Sequence, residues 1–407
     1  MPLVDMKDML HHAYRHGYAV GAFDLVSLDF LEGIMMAAEQ ARAPVILNLV
    51  ESHFKSIDIE LVMPAVEAAA TRALVPVAIH LDHSASIDSA VKAINRGCNG
   101  VKVDAAHLDF TENTHITKAM VETAHACGVS VEGELGCVPG ADGENAERHP
   151  GDICYTSLAE AKAYVERTNV DFLAIAIGTM HGDVKGKPRL DYQRLKQINE
   201  KLAIPLVIHG GTGLSDDQYR RLIANGVAKI NYFTALSKVA VKKIKENTRT
   251  DNACAYTGLL KDINQVVAGE VERCMRMWGS AGRAAEVLAQ CGSWTPVEHM
   301  IMFNVEGVDK VGADMLMAEG QRVLSAIPGV REVFSGEAMQ DNAKYHYTWL
   351  VRFCHPKLVD SYQQHPAYAA FNSKLLRTVS NKRVTIDFQT MQARAASAMP
   401  GAQEARA

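Results

Sequence analysis

Over its first two thirds the chain repeats one pattern: a short apolar run, then a longer stretch with helical periodicity. The apolar runs are residues 18–23, 45–50, 75–81, 100–103, 129–134, 172–177, 206–208 and 228–231, and stretches such as 28–40 and 87–96 lie between most of them. Strands that alternate with helices build a parallel sheet, and eight such units predict an α/β fold of the (β/α)8 TIM barrel type. That fold collects function on one rim, where the carboxyl ends of the strands meet, so residues just beyond each strand carry the most information.

The rhythm changes near residues 291–296. The remainder reads as strand (297–305), helix (311–327), two strands (330–336 and 346–353), helices (356–364 and 367–376) and a last strand (383–388), an α+β ferredoxin-like arrangement. The expected division is a barrel over 1–290, a smaller domain over 296–390 and a disordered, small and polar tail over 391–407. The net charge is −5 and no block of Lys and Arg occurs, which argues against nucleic acid and anionic membranes as partners. No apolar run approaches the roughly 20 residues that span a bilayer. The 8 cysteines form no CxxC pair and the opening residues do not read as a signal peptide, so a reducing cytoplasm and a small-molecule substrate are expected.

Three histidines come just after predicted strands three, six and seven: His83 in LDHSAS, His181 in AIGTMHGDVKGKP and His209 in VIHGGTG. Three neutral imidazoles with one position left open describe a catalytic zinc site. Asp82 beside His83 would set a general acid/base next to a Lewis acid, the alternative being a strand-end Asp-His that caps the next helix. After strand seven, Gly210-Gly211-Thr212-Gly213 lets backbone N–H groups approach an anion, with Asn231 and Thr234 as further donors, unless the glycines serve a tight turn. Lys185 either neutralises the same phosphate or is a solvated surface lysine. Asp104 and Glu134 are candidates for a supporting shell, a second cation site or buried ion pairs. The loop 136–155, with Gly136, Gly140, Gly143, Gly151, Pro139 and Pro150, is expected to be mobile and to cover the site. In the second domain Glu298, His299, His346 and His365 either line a small cavity or pack ordinarily, and a dimer interface is the simpler role for that domain.

Five strings, LDHSAS, VEGELGCVPGADG, AIGTMHGDVKGKPRLD, VIHGGTGLSD and MWGSAGRA, stand in an order that makes residues 1 to about 288 resemble class II, zinc-dependent aldolases of fructose and tagatose bisphosphate. VEHMIMFNV, IPGV and YQQHPAYAAF make residues 297–388 resemble a stress-responsive α/β-barrel domain, a family that dimerises by pairing its sheets. The first resemblance implies that His83, His181 and His209 hold Zn²⁺ and that Asp82 handles the proton of the hydroxyl next to the cleaved bond. It implies that Asp142, where the family has glutamate, or Glu144 reprotonates the enediolate carbon. Gly182, Gly210, Gly211, Thr212, Asn231 and Thr234 would surround the ketose phosphate and a monovalent cation, Na⁺ or K⁺. The implied reaction is reversible cleavage of a ketose phosphate to dihydroxyacetone phosphate and an aldehyde, with Zn²⁺ rather than a Schiff base stabilising the enediolate. A cytoplasmic homo-oligomer, dimer or tetramer, is implied as well.

Departures from the family cluster where substrate is read. Asp24 stands for a common asparagine, Val50 for Ser or Thr, and Phe233 and Ala235 for polar or acidic residues. The arginine that grips a distal phosphate is missing, with only Lys261 nearby. An added carboxylate and a lost cation predict a ketose 1-phosphate-like substrate with a modified aldehyde half. Two other readings are a noncatalytic aldolase-like companion subunit and a metal-dependent epimerase or isomerase.

Overall fold

The computed structural model describes residues 2–141, 148–149, 154–182, 189–249, 255–376 and 383–389. Each predicted apolar run is a strand: β1 (Val20–Asp24), β2 (Val45–Val50), β3 (Val77–Ser84), β4 (Gly100–Val103), β5 (Ser130–Leu135), β8 (Phe172–Ile175), β9 (Leu206–Ile208) and β10 (Val227–Tyr232). Between β5 and β8 lies a short hairpin, β6 (Gly140–Ala141) with β7 (Arg148–His149), inside the stretch read from sequence as an open loop. The eight long strands close in the order β1-β10-β9-β8-β5-β4-β3-β2, with parallel pairing around the ring. They are buried along nearly their whole length, because helices cover one face and the barrel interior takes the other.

The helical partners are α1 (Met6–His16), α2 (Leu28–Ala41), α3 (Ile59–Arg72), α4 (Ile87–Asn95), α5 (Phe110–Ala126), α6 (Leu158–Thr168), α7 (Tyr192–Leu202), α8 (Asp216–Ala224) and α9 (Thr234–Asn247). After them come α10 (Tyr256–Leu259), α11 (Ile263–Met277) and α12 (Ala284–Gln290). Most start on a side-chain cap: Ser27, Asp58, Ser86, Asp109, Ser157, Asp191 and Ser215 each accept a hydrogen bond from a first-turn N–H. α4 is capped by Ser86, so the capping alternative for Asp82-His83 is not what the chain adopts.

The barrel interior is layered. At the amino ends of the strands Val20, Ala22, Ile46, Ala78, Phe172, Val207 and Ala228 pack with Met6, Met9 and Leu10 of α1, which plugs that end. Strand pairing aligns Asp24, Asn48 and His80 in one row above this apolar floor, and Asp82, paired with Val50, stands two residues nearer the rim. One end of the barrel is thus sealed with hydrocarbon and the other is polar, which fixes the rim at which a solute can enter.

The second unit is a four-stranded antiparallel sheet in the order β12-β13-β11-β14, formed by β11 (Val297–Phe303), β12 (Val330–Glu337), β13 (Tyr347–Phe353) and β14 (Arg383–Gln389). α13 (Lys310–Ser325), α14 (Lys357–Ser361) and α15 (Pro366–Phe371) accompany it. Alternate burial along β11 puts Val297, His299, Ile301 and Phe303 into the core and turns Glu298, Met300 and Met302 the other way. The sheet is tied to the barrel by Arg331, whose guanidinium forms a fork on Glu67 of α3 (2.6 and 2.5 Å), and by Gly329 N–H donating to Asn95 Oδ1 at 2.7 Å. Residues 391–407, expected to be disordered, lie outside the described residues.

Candidate active site

The rim site begins with a break in β3. Its pairing with β4 slips between Leu81 and Ser84, and His83 sits in the left-handed region at φ +51°, where residues other than glycine are uncommon. A regular strand would point Asp82 and His83 to opposite faces; the bulge turns both to the barrel mouth. Gly210 does the corresponding work after β9. At φ +66° it packs so closely that a Cβ there would come within 2.4 Å of the Met180 carbonyl oxygen, which draws the loop after β9 against the one carrying His181. The ring centroids of His83, His181 and His209 consequently lie 5.2 to 6.4 Å apart.

One pocket is lined by Asp24, Val50, Asp82, His83, His181, Gly182, Gly210, Gly211, Thr212, Asn231, Phe233 and Thr234. Most rim residues singled out from the sequence therefore meet at one place. His209, buried beneath it, and Ala235 and Lys261 are not among the residues that line it. Asp142, Glu144 and Lys185 lie outside the described residues.

Donor chemistry decides whether a metal fits. Ligand atoms of Asp82, His83 and His209 lie within 4.8 Å of one another. His209 is buried; its Nε2 is held by the Glu132 carboxylate at 2.8 Å, while its Nδ1 makes no hydrogen bond among the described residues. An imidazole anchored through one nitrogen by a carboxylate, with the other nitrogen left for a further partner, is the arrangement of a metal ligand. The residues present fit a borderline-soft divalent ion such as Zn²⁺.

Around the histidines runs a buried polar network. Asp82 accepts from the Asn231 amide and from His83 N–H (3.0 Å), and faces the Lys102 ammonium at 3.3 Å. Burial alone would raise the Asp82 carboxyl, but the His83 ring and Lys102 outweigh it and hold the group well below the usual carboxylate range. Asn48 donates to Asp24 (2.8 Å), and its carbonyl accepts from His80 Nδ1 (2.9 Å). Burial pushes the His80 imidazole down to about 3, so it is neutral. Lys229 donates to Glu132 at 2.7 Å, and Lys102 donates to Glu134 at 2.5 Å.

Glu134 is thus engaged as a buried ion-pair partner, one of the three roles its position suggested, and Asp104 lies 3.6 Å from His83 Nδ1. Lys102, Glu132, Lys229, Asn48 and His80 are absent from the set that the sequence singled out. A signal for them exists: a parallel-barrel strand has no solvated face, so a charged residue in a run such as Gly100–Val103 must point into the barrel. In the second unit the four residues considered for a shared cavity do not converge. His299 bonds Tyr362 and Asp387, each at 2.6 Å, whereas Glu298 projects from the opposite face and takes Arg352 at 2.6 Å. His365 precedes α15 as its cap residue.

Residues 4–283 match the family model described as fructose-bisphosphate aldolase class-II. The chain belongs to that family. It is accordingly a class II aldolase, an aldehyde-lyase, by its membership. Residues 297–390 match the stress responsive A/B barrel domain. Among curated relatives, the fructose-bisphosphate aldolase of Geobacillus stearothermophilus is 38% identical over 293 residues, spanning 70% of this chain and 100% of that protein. The fructose-bisphosphate aldolase of Staphylococcus epidermidis is 37% identical over 292 residues, with the same coverage of both. Among solved structures, the YdjI aldolase of Escherichia coli K12 superposes with a TM-score of 0.63 at 31% identity, covering 69% of this chain and 99% of that one. Each of these relatives is matched over nearly its whole length by about 70% of this aldolase, and the second unit carries a family match of its own.

Proposed function

We propose that the enzyme is a Zn²⁺-dependent aldolase that reversibly cleaves a phosphorylated ketose to dihydroxyacetone phosphate and an aldehyde. The observation that carries this reading is the convergence of His83, His181 and His209 beside an intact Asp82 at the open rim. His83, His181 and His209 would hold the ion, and Asp104 and Glu134 would support it. When bound, Zn²⁺ supplies a Lewis acid for the negative charge that develops on the ketose oxygens as the carbon–carbon bond breaks.

The chain's own residues do the rest. Asp82, ionised and aimed by Asn231, accepts the proton of the hydroxyl adjacent to the scissile bond. Gly182, Gly210, Gly211 and Thr212, with Asn231 of β10 and Thr234 at the start of α9, cradle the phosphate next to a monovalent cation, and Lys185 is the candidate to neutralise it. Asp142 or Glu144, carried by the stretch beyond β6, returns a proton to the enediolate carbon. Asp24, Val50 and Phe233 all line the pocket, so the departures from the family sit where an aldehyde half would be read. They support a ketose bearing one phosphate over the bisphosphates named for the relatives. The setting proposed is a cytoplasmic homo-oligomer, assembled through the second sheet.

The test is turnover of metal-supplemented enzyme on fructose 1,6-bisphosphate, tagatose 1,6-bisphosphate and a set of ketose 1-phosphates, with dihydroxyacetone phosphate release as the readout and Asp82→Ala as control. Release from a ketose 1-phosphate that the variant abolishes is expected. Fast turnover of fructose 1,6-bisphosphate overturns the substrate assignment, and no release from any member with zinc bound overturns the aldol reaction itself.

A further inference from the structure

We propose a second transition-metal site at the opposite end of the barrel, formed by His12 and His16 of α1 and Glu286 of α12. The ligand atoms of these three residues lie within 4.8 Å of one another. His12 and His16 are four apart on one helix, so their side chains lie one above the other, and the rings stack with centroids 4.0 Å apart. Two histidines at this spacing on a helix face are a recurrent ligand pair for Zn²⁺.

The hydrogen bonds around the rings prepare both for coordination. His16 Nδ1 is 2.8 Å from the His12 carbonyl oxygen, which only accepts; Nδ1 therefore carries the hydrogen and Nε2 the lone pair. His12 Nδ1 is engaged by the Tyr18 hydroxyl at 2.9 Å, and the ring is fully buried with Nε2 lacking any hydrogen-bond partner among the described residues. A buried polar atom with no partner is unusual in a folded chain, and an ion placed between His12 and His16 would satisfy it. Glu286 is held at Oε1 by Arg283 (2.8 Å) and contributes the anionic donor. Two imidazoles and a carboxylate suit Zn²⁺, Co²⁺, Ni²⁺ or Cu²⁺ and not Mg²⁺ or Ca²⁺.

Metal–donor bonds of about 2.0–2.2 Å in a tetrahedral site require donors about 3.4 Å apart. His16 is exposed and Glu286 half-buried, so these two side chains, and not the buried His12, are the ones free to adjust to an ion. The site is remote from the rim, because α1 packs on the amino ends of the strands. It also joins the first helix of the barrel to the last. α12 leads into the link to the second sheet, which is pinned to the chain's start by Gly292 N–H on Asp8 (2.8 Å) and Trp294 N–H on the Leu3 carbonyl (2.9 Å). An ion there binds only the folded arrangement and so stabilises the joint by mass action.

The experiment counts metal on the full-length protein stripped by chelator and titrated with Zn²⁺ or Co²⁺ alone, in wild type, His16→Ala, Glu286→Gln and the rim variant His83→Ala. Wild type is expected to take up one equivalent more than His16→Ala. Glu286→Gln should weaken that equivalent about tenfold or more, and the rim variant should keep it together with a metal-dependent rise in melting temperature that His16→Ala lacks. Circular dichroism of each variant before titration establishes that it is folded, and His16→Gln should reproduce His16→Ala. Equal stoichiometry and an equal melting response in wild type and His16→Ala would overturn the site, whatever the rim chemistry proves to be.

Discussion

Two carboxylates of the rim do different work, and substitution separates them. Asp82 faces the pocket and is aimed by Asn231 and Lys102. Asp82→Asn keeps the volume and a hydrogen-bonding group but loses the proton acceptor, so kcat should fall by roughly 10²- to 10⁴-fold. Metal content, measured on the same preparation, should stay unchanged; a parallel loss of metal would mean that Asp82 is a ligand and not the base. Glu132 lies one layer down, bonded at once to His209 and Lys229 and fully buried. Glu132→Gln leaves the Lys229 ammonium without its carboxylate inside the barrel, a change that typically costs about 3–5 kcal/mol, readable by denaturant unfolding. The same substitution loosens the His209 ring and should weaken zinc binding by about 10- to 100-fold.

At the scale of single elements, the site depends on two irregularities, the bulge that ends β3 and the glycine turn after β9. Gly210→Ala forces a Cβ against the Met180 carbonyl, so the loop must shift and carry the phosphate cradle with it. A displacement of about 1 Å can cost 100-fold in rate, and kcat/KM for the phosphorylated ketose is expected to drop by about that factor, while Gly213→Ala, which strains the backbone at φ +88° but meets nothing within 4 Å, costs less. These elements also explain how much of the molecule is legible in the bare sequence. The eight strands and the rim histidines can be read there because apolar runs, helix caps and strings such as VIHGGTG are local in the chain. The pairing of the buried network cannot: a charge inside a barrel strand can be read as inward-facing, but nothing local tells that Glu132 and Lys229, 97 residues apart, are each other's partners. Nor does the local sequence announce the β3 bulge: Asp82-His83 reads as alternating strand until the pairing with β4 reveals the slip.

For the whole molecule, the addition of a second sheet to a barrel raises the question of what covers its outer face. The inner face is filled by Trp349, Phe303, Phe353 and their helical partners. The outer face carries Met300 and Met302 from β11, Phe334 from β12, Leu350 from β13, and Ile386 and Phe388 from β14, as the antiparallel pairings align them. Phe334 is 56% exposed, Phe388 45% and Ile386 39%, an apolar surface broad enough to mark an association site. A second copy is the occupant that symmetry favours, since a two-fold axis buries the same patch on both partners. Phe334→Lys combined with Ile386→Lys places four like charges in such an interface, two from each copy, and should halve the mass observed by light scattering. Because Phe334 and Ile386 lie on the second sheet and not among the residues that line the rim pocket, turnover per chain should change by less than about twofold. An unchanged mass would move the interface elsewhere, and a halved mass with lost turnover would show that the paired copies complete the rim site.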